Sequence, residues 1–348
     1  MSVLPRARRV PKTLVVAPNW IGDALMAQPL LARLRARHPE RDIDVLAPQW
    51  VAPVLRRMAE VSEVIATAFP HGGLQLGERV RLAREIRLRG YTQAFVLPNS
   101  WKSALVPLLA GIPVRTGYLG EARFGLLTER HRASSGAREP MTKHYARLAD
   151  VPGVAFLASI SAPRLQTDAQ AAEQTARRFG FAVAPRRNAV LCPGAEYGPA
   201  KRWPGKSYGE LASALTLRGF DVWLVGAKSD AGACEESARA SDGLAKNLAG
   251  QTSLDEAIDL IACADLVVTN DSGLMHVAAA LDRPQVALFG SSSPLHTPPL
   301  SPHARTLWLK LDCSPCYARK CPLGHLRCLR EITPEQVLDE VARLDVPR

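Results

Sequence analysis

Short apolar runs bounded by turn residues alternate with amphipathic stretches in two separate series along this chain. The first series has apolar runs at 13–17, 43–47, 63–66 and 93–98, and the second has them at 189–192, 222–226, 265–270 and 285–290. Alternation of this kind predicts parallel strands whose connecting helices cover both faces of a sheet. The sequence therefore predicts an α/β protein with two doubly wound, Rossmann-like domains.

The length of the chain agrees with two domains, because 348 residues exceed what one hydrophobic core usually serves. The pattern loosens past Tyr145, and we place the junction at Pro185-Arg186-Arg187. The predicted domains are 1–165 and 185–330, followed by a C-terminal helix at 331–348. The predicted helices of the first half include 24–38, 49–58 and 101–110, and those of the second half include 254–262 and 273–281. In such sheets ligands bind beyond the carboxyl ends of the strands, so we expect a shared ligand between the domains.

The positive charge of the chain is concentrated in its first half. Residues 1–160 hold 23 Lys and Arg against 12 Asp and Glu, whereas residues 161–348 hold 21 of each. Such one-sidedness favours a polyanionic partner for the N-terminal domain, although a solvated basic face would give the same composition. Nucleic acid, an anionic membrane surface and a phosphorylated substrate all fit at this stage.

No apolar run is long enough to span a bilayer, and the longest, 103–114, is broken by Pro107, Gly111 and Pro113. The basic start (Arg6, Arg8, Arg9 and Lys12) is not followed by the apolar core of a secretory signal. We therefore expect a cytoplasmic protein.

The sharpest local pattern is TNDSGLMHVAAA at 269–280, where an apolar strand ends in a turn and an alanine-rich helix begins. Asp271 or Ser272 can cap this helix, and Gly273 allows a phosphate to approach the backbone. The free N–H groups and the helix dipole favour negative charge, and His276 in the first turn could donate to a phosphate oxygen. A well-capped helix with a surface histidine is the structural alternative.

Two more loops follow predicted strands. The segment 193–204, PGAEYGPAKRWP, holds Lys201 as a cation suited to the charge on a departing phosphate, although such a loop is often only a solvated turn. In the segment 19–24, NWIGDA, Asp23 stands where an N-cap belongs, yet it would also project from the carboxyl edge of the sheet, where a general base is needed. Dinucleotide-binding, Walker, zinc-protease and Gly-x-Ser-x-Gly patterns are absent, which disfavours dehydrogenases, NTPases and serine hydrolases.

Four of the seven cysteines crowd into sixteen residues near the C-terminus. Their spacing, C-x2-C-x4-C-x6-C with His325 nearby, has the ligand types of a structural zinc site but matches no common zinc finger. Disulfides are not expected in a cytoplasmic protein. Structural zinc and free or redox-responsive thiols both remain open, and we assign the cluster (Cys313, Cys316, Cys321 and Cys328) no catalytic role and predict no cofactor.

Taken together, the segments NWIGDALMAQPL, VLPNSWKSALVPLLAGIPVRTGY, PGAEYGPAKRWP, NLAGQTSLDEAIDLIA and TNDSGLMHVAAAL resemble the ADP-heptose:lipopolysaccharide heptosyltransferases of glycosyltransferase family nine. The resemblance covers nearly the whole chain and is strongest to the members that add the second heptose. It implies a GT-B fold and inverting transfer of L-glycero-D-manno-heptose from ADP-heptose to the first heptose of Kdo-lipid A, at the cytoplasmic face of the inner membrane. Partners would then be ADP-heptose, a lipopolysaccharide acceptor and the anionic membrane, with no nucleic acid.

The resemblance also assigns roles to residues. Asp23 would be the base for the acceptor hydroxyl, and Lys201 would neutralise the departing ADP. The donor would also be held by one set of residues in the C-terminal domain, and the acceptor by another in the N-terminal domain. The donor set is Glu196, Lys201, Asp230, Leu248, Asp271, Ser272, Gly273, Leu274 and His276, and the acceptor set is Asn99, Ser100, Lys102, Arg115 and Arg123.

Other functions remain open on sequence alone. Within the family, a different acceptor would make the chain a heptosyltransferase of type I or III. A nucleotide-binding module without catalysis would not need Asp23. An RNA-binding protein could use the basic half, but the aromatic residues that stack on bases are not interleaved with the basic ones.

Overall fold

The computed structural model describes residues 11–69, 73–133, 138–181 and 187–344. Among the sequence features named above, Arg6, Arg8, Arg9, Pro185 and Arg186 lie outside the described residues. The described residues divide into two compact units. Unit 1 comprises 11–19, 27–69, 73–133 and 142–161, and unit 2 comprises 20–26, 138–141, 162–181 and 187–344. The short segment after the first strand therefore groups with unit 2.

Unit 1 contains a six-stranded, fully parallel sheet with the order β3-β2-β1-β4-β5-β6. This order is that of a doubly wound nucleotide-binding fold. Its central strands are apolar and its core packs Leu14, Tyr91 and Val96 with helix residues Ala83 and Ile86. The strands are β1 (Lys12–Val16), β2 (Ile43–Pro48), β3 (Glu63–Thr67), β4 (Tyr91–Val96), β5 (Val114–Tyr118) and β6 (Glu129–His131).

Unit 2 repeats the same topology, with the order β12-β11-β10-β7-β8-β9. Read from its other edge, this order is again that of a doubly wound sheet. The core packs Trp203, Tyr208 and Leu211 against the strands, and Leu329 and Val337 close it. The strands are β7 (Arg187–Cys192), β8 (Phe220–Leu224), β9 (Ala245–Asn247), β10 (Leu266–Asn270), β11 (Gln285–Phe289) and β12 (Ala304–Trp308).

The helices agree with the predicted alternation, with local differences. They are α1 (Ile21–Met26), α2 (Gln28–Arg37), α3 (Ala52–Arg56), α4 (Leu76–Arg89), α5 (Leu105–Leu109), α6 (Met141–Ala146), α7 (Ala169–Arg178), α8 (Gly205–Leu217), α9 (Ala231–Ala240), α10 (Leu254–Ala262), α11 (Gly273–Ala280), α12 (Arg327–Arg330) and α13 (Pro334–Ala342). In the described part of the chain, no helix combines the length and the apolar character needed to cross a membrane.

The predicted single helix at 24–38 is wrong, because the structure has two helices that break at Ala27. Pro29 stands in the first turn of α2 and has no N–H with which to continue the hydrogen bonds of α1. The break matters for function, because it separates α1, which belongs to unit 2, from α2, which belongs to unit 1.

Candidate functional site

The turn between β10 and α11 presents the N-terminus of a buried helix. Ser272 has the extended backbone of an N-cap, but its side chain makes no capping hydrogen bond. Its hydroxyl instead lies 3.2 Å from that of Thr269. The expected side-chain cap is therefore absent, and the N–H groups of the first turn keep their capacity to bind an anion.

Asp271 lies beside this helix start and forms an ion pair with Lys201. The Nζ of Lys201 is 2.5 Å from Oδ2 of Asp271, and the two side chains are 16% and 4% exposed. Thr297 also donates weakly to the Asp271 carboxylate, at 3.4 Å. The ammonium lies 5.0 Å from the centre of the Tyr197 ring, which supports it from another side. The structure thus brings Lys201 to the anion turn, as the sequence predicts.

Asn270 fixes the loop that carries Lys201. Its amide Nδ2 donates to the Pro193 carbonyl at 2.8 Å, and its Oδ1 accepts from the Trp203 backbone N–H at 3.0 Å. Both contacts are buried, so they join the two ends of the 193–203 loop to the end of β10. Lys201 therefore projects from a loop that is fastened at both ends.

Asp23 is not an N-cap, so that interpretation is wrong. The first hydrogen bond of α1 runs from the Ala24 N–H to the Trp20 carbonyl, which places Asp23 as the third residue of the helix. Among the described residues, no N–H or O–H group donates a hydrogen bond to the Asp23 carboxylate. Its side chain is thus available for another role, and a negative charge there is favoured by the helix dipole.

Two glycines allow α1 to approach α11 closely. A Cβ on Gly22 would lie 2.9 Å from Cδ2 of His276, and a Cβ on Gly273 would lie 3.1 Å from the Cβ of Ile21. A side chain at either position would force a neighbouring residue to shift, so glycine at both positions lets the two helices pack closely. This contact brings Asp23 to the same place as Asp271 and His276.

Burial shifts the pKa values of two groups at this place. Burial raises the pKa of Asp23 to about 6, while Lys201 lowers it and Asp271 raises it further. Burial lowers the pKa of His276 to about 4, opposed by Asp271 and assisted by Lys201. At neutral pH Asp23 is therefore an ionised carboxylate of raised basicity, and His276 is a neutral imidazole that can donate one N–H.

The other donor candidates of unit 2 lie after β7, β8 and β9 or at the start of α11. Glu196 is exposed and accepts from the Ser229 hydroxyl at 3.2 Å. Asp230 is buried: it accepts from the Ala227 N–H at 3.1 Å and faces Gly194, where a Cβ would meet its carboxylate. Burial raises the pKa of Asp230. Leu248 is buried beyond β9, and Leu274 is half-buried in the first turn of α11.

The acceptor candidates lie in unit 1 and divide into two places. Asn99, Ser100 and Lys102 follow β4, at the carboxyl edge of the sheet. Arg123 lies beneath them and is fully buried: its guanidinium donates to the Pro98 carbonyl at 2.7 Å, to Asn99 Oδ1 at 3.3 Å and to the Tyr118 carbonyl. Arg123 therefore positions the Asn99 segment rather than facing solvent.

Arg115 is not brought together with the other acceptor candidates. It is the second residue of β5, toward the amino end of that strand. Its guanidinium donates to the carbonyls of Leu126 at 2.8 Å and Ile112 at 2.5 Å. These bonds tie the strand to its neighbouring loops, which is a structural role.

Sequence reasoning missed several residues that shape the site of unit 2. Thr297 and Tyr197 contact the ion pair, and Asn270 and Gly22 set its position. Asn270 and Gly22 stand directly beside the predicted site residues Asp271 and Asp23, and this position after a strand is a signal that sequence alone contains. Thr297 lies 26 residues beyond Asp271 in an irregular loop, and nothing local marks it.

Residues 79–327 match the family model described as glycosyltransferase family 9 (heptosyltransferase). The chain belongs to this family. It is also 44% identical, over 96% of its length and 98% of the relative, to the lipopolysaccharide heptosyltransferase 2 of Salmonella typhimurium.

Solved structures agree with this membership. The structure of E. coli ADP-heptose lps heptosyltransferase II is 43% identical, covers 95% of this chain and 98% of its own, and superposes with a TM-score of 0.86. A family 9 glycosyltransferase from Veillonella parvula shares the fold with a TM-score of 0.82, covering 97% of this chain and 98% of its own at 20% identity. The predicted α/β fold of GT-B type is confirmed.

Proposed function

We propose that this family 9 protein transfers L-glycero-D-manno-heptose from ADP-heptose to the first heptose of Kdo-lipid A, with inversion at the anomeric carbon. The observation that carries the proposal is the grouping in unit 2 of Asp23, the Lys201–Asp271 ion pair and the uncapped start of α11. The names of the similar proteins, lipopolysaccharide heptosyltransferase 2 and ADP-heptose lps heptosyltransferase II, support the choice of donor and of acceptor class.

Asp23 acts in this proposal as the general base. An acceptor hydroxyl is a weak nucleophile at neutral pH, and a positioned base contributes about 10² to 10⁴ in rate. With its pKa raised to about 6, the Asp23 carboxylate is ionised at neutral pH but holds a proton more strongly than an exposed aspartate. It takes the proton of the hydroxyl while the oxygen attacks the anomeric carbon and the bond to the diphosphate breaks.

The departing ADP is stabilised by charge and by dipoles. Lys201 faces the negative charge that develops on the diphosphate, and the N–H groups of Ser272, Gly273 and Leu274 at the start of α11 bind its oxygens. The neutral His276 donates one further N–H. Glu196, Asp230 and Leu248 follow neighbouring strands of the same sheet and are assigned to the nucleoside end of the donor.

The acceptor specificity is tested by offering purified protein ADP-heptose with Kdo-lipid A that carries zero, one or two heptoses. We expect mass spectrometry of the products to show extension of the one-heptose acceptor. Extension of either other acceptor would instead assign the chain to type I or type III activity. Binding of ADP-heptose without transfer to any acceptor would leave only a nucleotide-binding module.

Unit 1 is assigned to the acceptor and to an anionic membrane surface. Large apolar side chains are exposed after three strands of its sheet: Trp50 (44%) follows β2, Trp101 (38%) follows β4 and Phe124 (64%) follows β5. Because the strands are parallel, these side chains lie at one edge, together with Asn99 and Ser100. Aromatic side chains favour the lipid–water interface, and Lys and Arg contribute about 1 kcal/mol each near an anionic surface.

This membrane contact predicts co-sedimentation of the protein with vesicles that contain phosphatidylglycerol. Binding should weaken as salt is raised, because the attraction of the basic half is screened. Replacing Trp50 and Phe124 by serine should lower vesicle binding while the protein still binds ADP, since neither residue belongs to unit 2. Equal binding to neutral and anionic vesicles would contradict the electrostatic part of the proposal.

A further inference from the structure

The four cysteines of the C-terminal cluster line one small cavity in unit 2. The cavity has a volume of about 20 Å³, and Cys313, Cys316, Cys321 and Cys328 all lie in its wall. A space of this size holds one water molecule or one ion. None of the four is in a disulfide. Four sulfur ligands around a space for one ion are typical of sites for Zn²⁺ or iron.

A buried polar group also lines this cavity and lacks a partner. Ser291 is 1% exposed, and its Oγ forms no hydrogen bond within the described residues. A buried hydroxyl without a partner is unfavourable, so such groups usually face a bound water or ion. This observation is independent of the cysteines and points to the same space.

The segment around Cys321 is a tight turn. The Gly324 N–H donates to the Cys321 carbonyl at 3.2 Å. Gly324 has a φ of 72°, a left-handed conformation that glycine adopts readily. The turn holds Cys321 in the wall of the cavity that the four cysteines line.

His325 is not placed as a ligand. Its Nδ1 accepts the N–H of Arg327 at 3.0 Å, so the proton of the neutral ring is on Nε2. Within the part of the chain that the structure describes, no three His, Cys, Asp or Glu side chains already form a closed ligand set. Binding would therefore draw the cysteine side chains inward around the cavity.

We propose that Cys313, Cys316, Cys321 and Cys328 form a tetrathiolate site for one thiolate-preferring divalent cation of the zinc class. The site is structural, because all four protein ligands leave no open position for a substrate. The metal site itself does not depend on the proposed transfer reaction, whereas its effect on Lys201 rests on it.

The position of the cluster links it to the loop that carries Lys201. Ala200 lines the same cavity, and its N–H donates to the Arg319 carbonyl at 3.1 Å. The Tyr197 hydroxyl donates to the Tyr317 carbonyl at 2.7 Å. Both acceptors lie between Cys316 and Cys321, so an ion that fixes the cysteine segment also fixes the Lys201 loop. The cation is thus a positioning element for Lys201.

The first test measures metal in the full chain. Protein purified without chelators is analysed by mass spectrometry for metals, then stripped with a chelator under reducing conditions and titrated with Co²⁺. We expect about one zinc-class ion per chain and a Co²⁺–thiolate charge-transfer absorption that saturates at about one equivalent. Metal far below one equivalent together with no such absorption would overturn the proposal, as would a disulfide among the four cysteines in the purified protein.

The second test uses variants and a matched control. Replacing Cys321 and Cys328 together by serine should abolish the Co²⁺–thiolate absorption, whereas Cys263→Ser, outside the cluster in unit 2, should leave it unchanged. Should the double variant fold poorly, the wild-type protein stripped of metal decides whether the cation stabilises the site.

Stripping the wild-type protein of metal should lower its thermal midpoint and weaken its binding of ADP several-fold, and added Zn²⁺ should restore both. Unchanged ADP affinity after stripping would remove the positioning role.

Discussion

Replacing Asp23 by asparagine should lower the rate of heptose transfer by about 10² to 10⁴, the contribution expected of a general base. The amide keeps the size and position of the carboxylate but cannot accept the proton of the acceptor hydroxyl. Affinity for ADP should change little, because donor binding depends on Lys201 and the start of α11. Steady-state kinetics and calorimetric titration with ADP would measure the two effects separately.

The same substitution should stabilise the protein at neutral pH. Burial raises the pKa of Asp23 from 3.8 to about 6, so the folded state binds a proton more tightly than the unfolded chain does. The ionised form therefore costs stability above pH 6, and this cost disappears below about pH 4. We expect Asp23→Asn to raise the free energy of unfolding by about 3 kcal/mol at pH 7.5 and by almost nothing at about pH 3, below the pKa of the unfolded chain.

Two comparisons make the Asp23 result decisive. Asp339→Asn removes an exposed carboxylate on α13 and should alter neither the rate nor the pH dependence of stability. In the wild-type protein, kcat/KM should fall as the pH drops through about 6, where Asp23 becomes protonated. Near-normal turnover in the asparagine variant would eliminate Asp23 as the base.

The fold was largely predictable because its central strands are continuous apolar runs. The strands β1, β2, β7, β10 and β11 are buried on both faces, and their predicted and observed bounds differ by a residue or two. The structure also contains β5, β6, β9 and β12, which the apolar runs of the sequence do not predict. These strands, such as Val114–Tyr118 and Glu129–His131, are short and carry polar residues, so their pairing depends on the sheet that is already present.

The site could be predicted where a functional side chain stands at the end of a strand. It was less predictable where contacts between segments distant in sequence set the position of a side chain. The anion turn could be placed from Asp271 and Gly273 because a strand end followed by a helix start is a local pattern. The grouping of Asp23 with unit 2 depends on the packing of Gly22 against His276, which is distant in sequence. For the same reason the sequence could not reveal that Arg123 is buried.

Replacing Lys201 by methionine should damage both stability and turnover. Its ammonium is paired with Asp271, whose side chain is 4% exposed, so the substitution leaves a buried carboxylate with only the weak contact from Thr297. Removing one partner of a buried ion pair costs about 3 to 5 kcal/mol. Loss of the cation that faces the diphosphate should lower kcat by about 10² to 10³. Lys206→Met, an exposed lysine on α8, is the matched control.

A double variant separates the two consequences. When Asp271→Asn accompanies Lys201→Met, no unpaired buried charge remains, so the free energy of unfolding should return toward the wild-type value. Turnover should stay low, because the neutral pair cannot stabilise the departing diphosphate. The single variant Asp271→Asn provides the reference, since it keeps the cation and should retain more activity than the double variant. If the double variant regains the turnover of Asp271→Asn, Lys201 serves only to neutralise Asp271, and the leaving-group role belongs to the start of α11 alone.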